Sequence, residues 1–178
     1  MIISVVGTKG AGKGTQVSRL AKDFNLVSFA PGDAFRSGIK HRTPLGIVAE
    51  KYMQRGELVP DDIVNGLVEE WVWTTTPYQG IIFDGFPRTT FQAAFLEESL
   101  RDMGRKFDAT IYMDVSDEEV VRRLSQRRVC HHCRDEFHLM ATPFTTCPKQ
   151  RCVGQYLRHL DEDKPAIIST VVPTHSAA

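Results

Sequence analysis

The sequence predicts an α/β fold, a parallel sheet covered by helices, and three observations carry that reading. Short apolar runs alternate with amphipathic stretches along much of the chain, the pattern of strand and helix in alternation. The first run, Ile2-Ile3-Ser4-Val5-Val6, reads as a buried strand and passes through the glycine-rich stretch Gly7 to Thr15 into a helix over Gln16 to Lys22. At 178 residues, 42% hydrophobic and 25% charged, the chain is long enough to bury a real core.

The stretch GTKGAGKGT carries the chemistry of the first crossover. Four glycines fall within the eight residues Gly7 to Gly14, so the backbone can turn tightly and aim several N–H donors at one anion. The helix that follows presents its positive end to the same place, and Lys13 adds a full charge. The spacing Gly7-x4-Gly12-Lys13 satisfies most of the P-loop pattern, with Gly14 where Ser or Thr is usual and Thr15 one place later. Gly10, Ala11, Gly12, Lys13, Gly14 and Thr15 are thus the expected phosphate ligands. An ordinary glycine-rich turn is the plainer alternative.

Charge excludes some partners. Lys plus Arg equals Asp plus Glu at 22 each, so no global field draws the chain to nucleic acid or an anionic membrane, and phosphate affinity must be local. Met1 leads directly into the first strand and no long apolar run follows. The expectation is therefore a cytoplasmic protein without signal peptide or membrane span. Four cysteines confined to Cys130 through Cys152 read as a metal site before they read as disulfides.

The remaining elements follow in order. Leu26 to Ala30 is a second strand, ended by Pro31-Gly32. Two short helices come next with no strand between them, Asp33 to Lys40 capped by Asp33 and Leu45 to Arg55 stopped by Gly56, which suggests a helical insertion on the alternating core. Pro60-Asp61-Asp62 starts another helix whose apolar stripe is Ile63, Val64, Leu67, Val68 and Trp71. Gly80 to Asp84 is a third strand that runs into Gly85-Phe86-Pro87-Arg88-Thr89, placing Asp84 and Arg88 at a carboxyl end, where open α/β sheets bind ligands. Ala109 to Asp114 is the fourth strand, and Ser116 to Glu119 reads as a capping box. On the helix behind it Val120, Val121 and Leu124 face inward, while Arg123 and Arg127, four apart, share another face from which two guanidiniums reach one polyphosphate. A solvated charged face is the bland alternative.

Cys130-His131-His132-Cys133 is a tight chelating turn, followed after thirteen residues by Cys147 and after four more by Cys152. Four thiolates in two pairs suit tetrahedral zinc, which adds folding energy to a segment with little core. His131, His132 or His138 can replace a cysteine, and unliganded cysteines remain the alternative.

The GKGT ending and, above all, DGFPRT followed by Gln92 resemble the adenylate kinases among nucleoside monophosphate kinases. The resemblance covers residues 1 to about 165 and implies a P-loop NTPase-type sheet of order 2-3-1-4, a helical monophosphate-binding insertion and a zinc-stapled lid. Its divisions are 1–30 core, 31–60 insertion, 61–128 core, 129–160 lid and 161–178 core. It implies transfer of the ATP γ-phosphoryl group to AMP, with Lys13, Asp84, Arg88, Arg127 and Arg158 in catalytic roles and Asp84 holding magnesium through water. Arg36 binds the monophosphate. Pro31, Glu57, Leu58, Val59, Gly85, Arg88, Gln92 and Arg158 complete the AMP side. Arg123 lies against the ATP base, Arg127 on its phosphates, and Glu136 and Phe137 where the lid touches the nucleotide. Phe137 stacks on adenine or packs within the lid.

Three departures from the family pattern qualify these roles. Pro31 replaces a threonine whose hydroxyl helps read adenine, but the Gln92 amide can pair with an adenine edge, which favours AMP over UMP or CMP. The second cysteine pair, Cys147 and Cys152, is more widely spaced than usual. Ser169 stands where the family has a second arginine, and the chain ends at Ala178 short of where relatives finish, which implies a missing fifth strand, an exposed edge at Ala109 to Asp114 and lowered turnover. The expected state is a monomer that binds ATP and AMP. The competing expectations are a UMP/CMP kinase and a nucleotide-binding relative with little turnover.

Overall fold

The computed structural model describes residues 1–75, 78–130, 136–140, 144–145 and 154–159. The chain divides into two units, Met1–Asp114 and Val115–Ala178. The first begins with β1 (Ile2–Gly7), α1 (Lys13–Asp23), β2 (Leu26–Phe29), α2 (Pro31–Lys40) and α3 (Pro44–Met53). It continues with α4 (Asp61–Thr74), β3 (Gly80–Asp84), α5 (Thr90–Asp102) and β4 (Ala109–Met113). Its four strands form one parallel sheet of order β2-β3-β1-β4, the order that the family resemblance implied.

The two central strands are apolar because helices cover both of their faces. Successive residues point to opposite sides, which splits them between two cores. Ile2, Ile81 and Phe83 join Phe29, Phe86, Leu96 and the α4 residues Val64, Val68 and Val72 on one face. Ile3, Val5 and Ile82 meet Val17 of α1 on the other. All five residues of the expected α4 stripe, Ile63 through Trp71, pack in the larger core. Trp71 stacks on Phe29 with ring centroids 4.4 Å apart. In β4, the edge of this sheet among the described residues, Ile111 and Tyr112 are exposed.

The insertion between β2 and α4 is a helix pair in close backbone contact. A Cβ on Gly46 would lie 2.1 Å from the Gly38 carbonyl carbon, so these helices cross at two glycines. Thr43 caps α3 by accepting from the Gly46 N–H, with Pro44 in the first turn. The expected start of α2 is corrected: Ala30, not Asp33, occupies the N-cap, and Pro31 begins the helix. Proline suits that position because its fixed φ is helical and its missing N–H would have had no helical partner there. Asp33 instead pairs with Arg36, one turn on.

The second unit holds α6 (Asp117–Gln126) and a three-stranded antiparallel sheet, order β6-β5-β7, of β5 (Arg127–Cys130), β6 (Glu136–His138) and β7 (Leu157–Arg158). Ser116 caps α6 as expected, accepting from the Glu119 N–H at 3.4 Å. The return half of the box is absent, because Glu119 turns to Arg122 and Arg123 at 2.6 Å each. Hydrogen bonds from Arg122 and then Arg123 hold the Glu119 carboxyl down at about 2. Val120 and Leu124 are buried, but Val121 is 41% exposed, against expectation. Among the described residues no helix is long and apolar enough to cross a membrane.

Candidate active site

The glycine loop joins β1 to α1 and has the conformation that its glycines permit. Gly12 is the N-cap of α1 at φ 95, a left-handed value that side chains disfavour, and no side chain caps the helix. Gly7 closes against β4: a Cβ there would sit 2.5 Å from the Met113 carbonyl oxygen. The first turn of α1 holds no acidic residue, so nothing within that turn offsets the positive end of the helix. Lys13 Nζ donates to the carbonyl oxygens of Gly7 and Thr8, 2.9 Å each, which curls the ammonium back over the loop.

β3 ends beside it. A Cβ on Gly14 would lie 3.5 Å from Asp84 Oδ2, so the start of α1 and the end of β3 are neighbours. Burial pushes the Asp84 carboxyl up, and Lys13 pulls it down; more weakly, Asp33 raises it and Arg88 and Arg36 lower it. The folded chain therefore holds that proton more tightly than the unfolded one, and ionising Asp84 opposes folding unless a cation offsets it. A cleft of about 320 Å³ opens here, lined by Gly14, Ser18, Ser28, Ala30, Asp33 and Asp84 among others.

Arg88 leaves the loop after β3, past a cis Phe86–Pro87 peptide. Its Nε donates to the Gly85 carbonyl at 2.7 Å, which sets the plane of the guanidinium. Gln92 is held from both ends. Its Oε1 accepts from the Arg88 N–H at 2.7 Å, and its Nε2 donates to Asp61 Oδ1 at 2.6 Å. The residue is 3% exposed, so most of an amide expected to meet a ligand serves internal contacts. Asp61 and Thr89, which the sequence reading took only as a helix start and as part of the loop after β3, both hydrogen-bond Gln92 and each other. Thr89-x-x-Gln92 has capping-box spacing, and Thr89 does cap α5 by accepting from the Gln92 N–H at 3.1 Å.

The first unit thus brings together Lys13, Gly14, Arg36, Asp84 and Arg88, with Pro31 buried in the first turn of α2. Val59 is buried, Leu58 is exposed, and Glu57 pairs with Arg55 at 2.9 Å. In the second unit, the expected helical face of Arg123 and Arg127 is corrected. α6 ends at Gln126 and Arg127 opens β5, opposite His138, so helical spacing does not relate the two arginines. Arg123 bonds Glu119, and Arg127 approaches Glu136 at 3.5 Å. Phe137 packs edge-on against Phe144, centroids 4.8 Å apart, beside Leu157 and the fully buried Cys130. Arg158 is exposed, its Nη1 2.9 Å from the Leu157 carbonyl. Cys133, Cys147 and Cys152, like Ser169, lie outside the described residues. Among the described residues no three His, Cys, Asp or Glu side chains form a metal-holding group.

The family model for adenylate kinase matches residues 5–174 of this chain. The chain belongs to the adenylate kinase family. It is 43% identical over 143 residues to an adenylate kinase of Carboxydothermus hydrogenoformans, a match that covers 80% of this chain and 67% of the relative. A Salinispora tropica adenylate kinase is 41% identical over 171 residues, covering 96% and 78% of the two chains. One from Staphylococcus aureus strain Mu50 is 39% identical over 173 residues, covering 95% and 79%. Membership makes this chain an adenylate kinase by class: a nucleoside monophosphate kinase, and so a phosphotransferase.

Proposed function

We propose that this chain transfers the γ-phosphoryl group of ATP reversibly to AMP, giving two ADP, with the acceptor bound at the carboxyl ends of β1 and β3. The observation that carries the reading is the convergence there of an uncapped, acid-free helix start, Lys13, Asp84 and Arg88. In the forward direction the bond from the γ-phosphorus to the bridging oxygen of ATP breaks, and a phosphate oxygen of AMP bonds to that phosphorus. Such transfer needs positioning and charge neutralisation more than covalent help. The N–H groups of Gly10 to Thr15 cradle the donor phosphates, and Lys13 leaves its carbonyl partners to meet them. Arg88 and Arg36 hold the acceptor phosphate. Arg36 exchanges Asp33 for it, a surface pair of small worth.

Asp84 fits a magnesium site: a buried carboxylate whose charge burial disfavours gains from a divalent cation held through water. Magnesium bound there with ATP would neutralise charge on the phosphates. The α2 and α3 pair is the acceptor insertion, with Pro31, Gly56 to Val59 and Gln92 around the base. Arg123, Arg127, Glu136, Phe137 and Arg158 are what 115–178 contributes to nucleotide binding. The cytoplasm and a monomeric state complete the reading. Supplying AMP, UMP and CMP in turn tests the acceptor, and AMP should give by far the highest kcat/KM. Equal use of UMP or CMP would assign the chain to the pyrimidine-specific class instead.

The lid is proposed to carry a structural zinc on Cys130, Cys133, Cys147 and Cys152. Cys130 fits the role, fully buried in a small sheet where, among the described residues, Phe137, Phe144 and Leu157 pack against it. Protein purified without chelator should contain one zinc per chain. Removing it should lower the melting temperature of 115–178 and spare the four-stranded sheet. Metal-free protein with an unaltered melting profile would contradict this.

A further inference from the structure

The carboxylate of Asp61, in the first turn of α4, ties that helix to the start of α5. Oδ2 accepts from Thr89 Oγ1 at 2.7 Å, and Oδ1 from Gln92 Nε2 at 2.6 Å. On its other side Gln92 Oε1 accepts from the Arg88 N–H at 2.7 Å. A carboxylate only accepts and a peptide N–H only donates, so a single orientation of the Gln92 amide satisfies both neighbours. Turned over, the NH₂ would meet the Arg88 N–H and the oxygen would meet the carboxylate. Water offers little relief at 3% exposure.

We infer that Asp61 is a specificity-determining positioning residue, which fixes the Gln92 amide so that the site distinguishes amino from oxo acceptor bases. The inference rests on the reading above in which Gln92 meets the acceptor base. Each end of the clamped amide keeps one further valence, a lone pair on Oε1 and a second N–H on Nε2. A 6-aminopurine asks an amide to accept from its amino group and donate to N1. A 6-oxopurine asks the reverse, donation to O6 and acceptance from N1–H. An amide free to rotate serves either base; a clamped one serves one of them. With AMP as acceptor, the clamped orientation is the one that pairs with adenine. Asp61 touches no substrate in this arrangement and acts through Gln92.

The test compares kcat/KM for AMP and IMP, with ATP as donor, in the wild-type chain and in Asp61→Asn, Thr89→Val and Gln92→Leu. Asparagine can accept or donate, so Asp61→Asn should lower the AMP to IMP ratio about tenfold, the factor a charge-assisted hydrogen bond carries. Thr89→Val removes the other partner of Asp61 and the α5 cap. It should lower the melting temperature and leave the ratio unchanged. Equal falls in those two variants would mean general loosening and would overturn the inference. So would a wild-type chain that uses IMP as well as AMP. If Gln92→Leu collapses the ratio and Asp61→Asn leaves it intact, Gln92 reads the base without the clamp and only the inference fails. If neither variant moves it, the placement of Gln92 against the base fails as well. Asp61→Ser, whose hydroxyl also donates or accepts, serves the same comparison should Asp61→Asn not fold.

Discussion

Replacing Lys13 with alanine is expected to lower turnover by about 10²- to 10³-fold while leaving the fold intact. The lysine is the one full positive charge within the glycine loop proper from Gly10 to Thr15, and a preorganised donor at developing charge is worth about 10²- to 10³-fold in rate, roughly 3 to 4 kcal/mol. Its structural contribution is smaller. Nζ bonds two loop carbonyls, at Gly7 and Thr8, and a neutral acceptor that regains water costs about 1 kcal/mol or less. Thermal melts of the variant should stay close to wild type while the ATP and AMP reaction is nearly abolished. Unaltered turnover would remove the loop from the mechanism. A large fall in melting temperature would give the lysine a structural role instead.

Arg88→Ala should produce the other large loss, and on one substrate only. A planar guanidinium binds phosphate through two parallel N–H bonds, and the Nε contact to Gly85 at 2.7 Å already sets its orientation. Truncation should raise KM for AMP and lower kcat together, about 10³-fold in kcat/KM for AMP, the cost of two charge-assisted bonds. KM for ATP should change far less. Arg88→Lys keeps the charge without the fork and should recover only part of the loss. Steady-state kinetics with each nucleotide varied in turn separate these effects. An equal rise in both KM values would place Arg88 between the nucleotides or give it a general structural role.

How much of this was legible in the sequence depended on whether the cause was local. β1, β3 and the loops behind them were readable because burial on both faces demands continuous apolar runs and the phosphate loop demands glycine at fixed places. Arg127 was misread because helical spacing was extended one residue too far. Its backbone has φ −70 and ψ 137, and pairing with His138, eleven residues on, takes it out of the helix. Strand pairing of that kind leaves no signal in the 3.6-residue period. The sequence aims the Gln92 amide at a ligand but does not reveal its restraint. The group that fixes its amide comes from Asp61, 31 residues earlier, and looked like nothing more than a helix start. Val121 falls within an apolar pair with Val120, yet only Val120 turns inward, since adjacent residues on a helix point about 100° apart.

The account as a whole stands on phosphoryl transfer between two nucleotides. The most direct measurement is the product balance when the purified chain is given ATP, AMP and Mg²⁺ and the nucleotides are separated and quantified. Two ADP should appear for each ATP consumed, with no ADP or inorganic phosphate when AMP is withheld and formation about 10²- to 10³-fold slower with Lys13→Ala. ATP that yields one ADP and one phosphate without AMP would show hydrolysis instead of transfer, and no conversion with both nucleotides present would contradict the account outright.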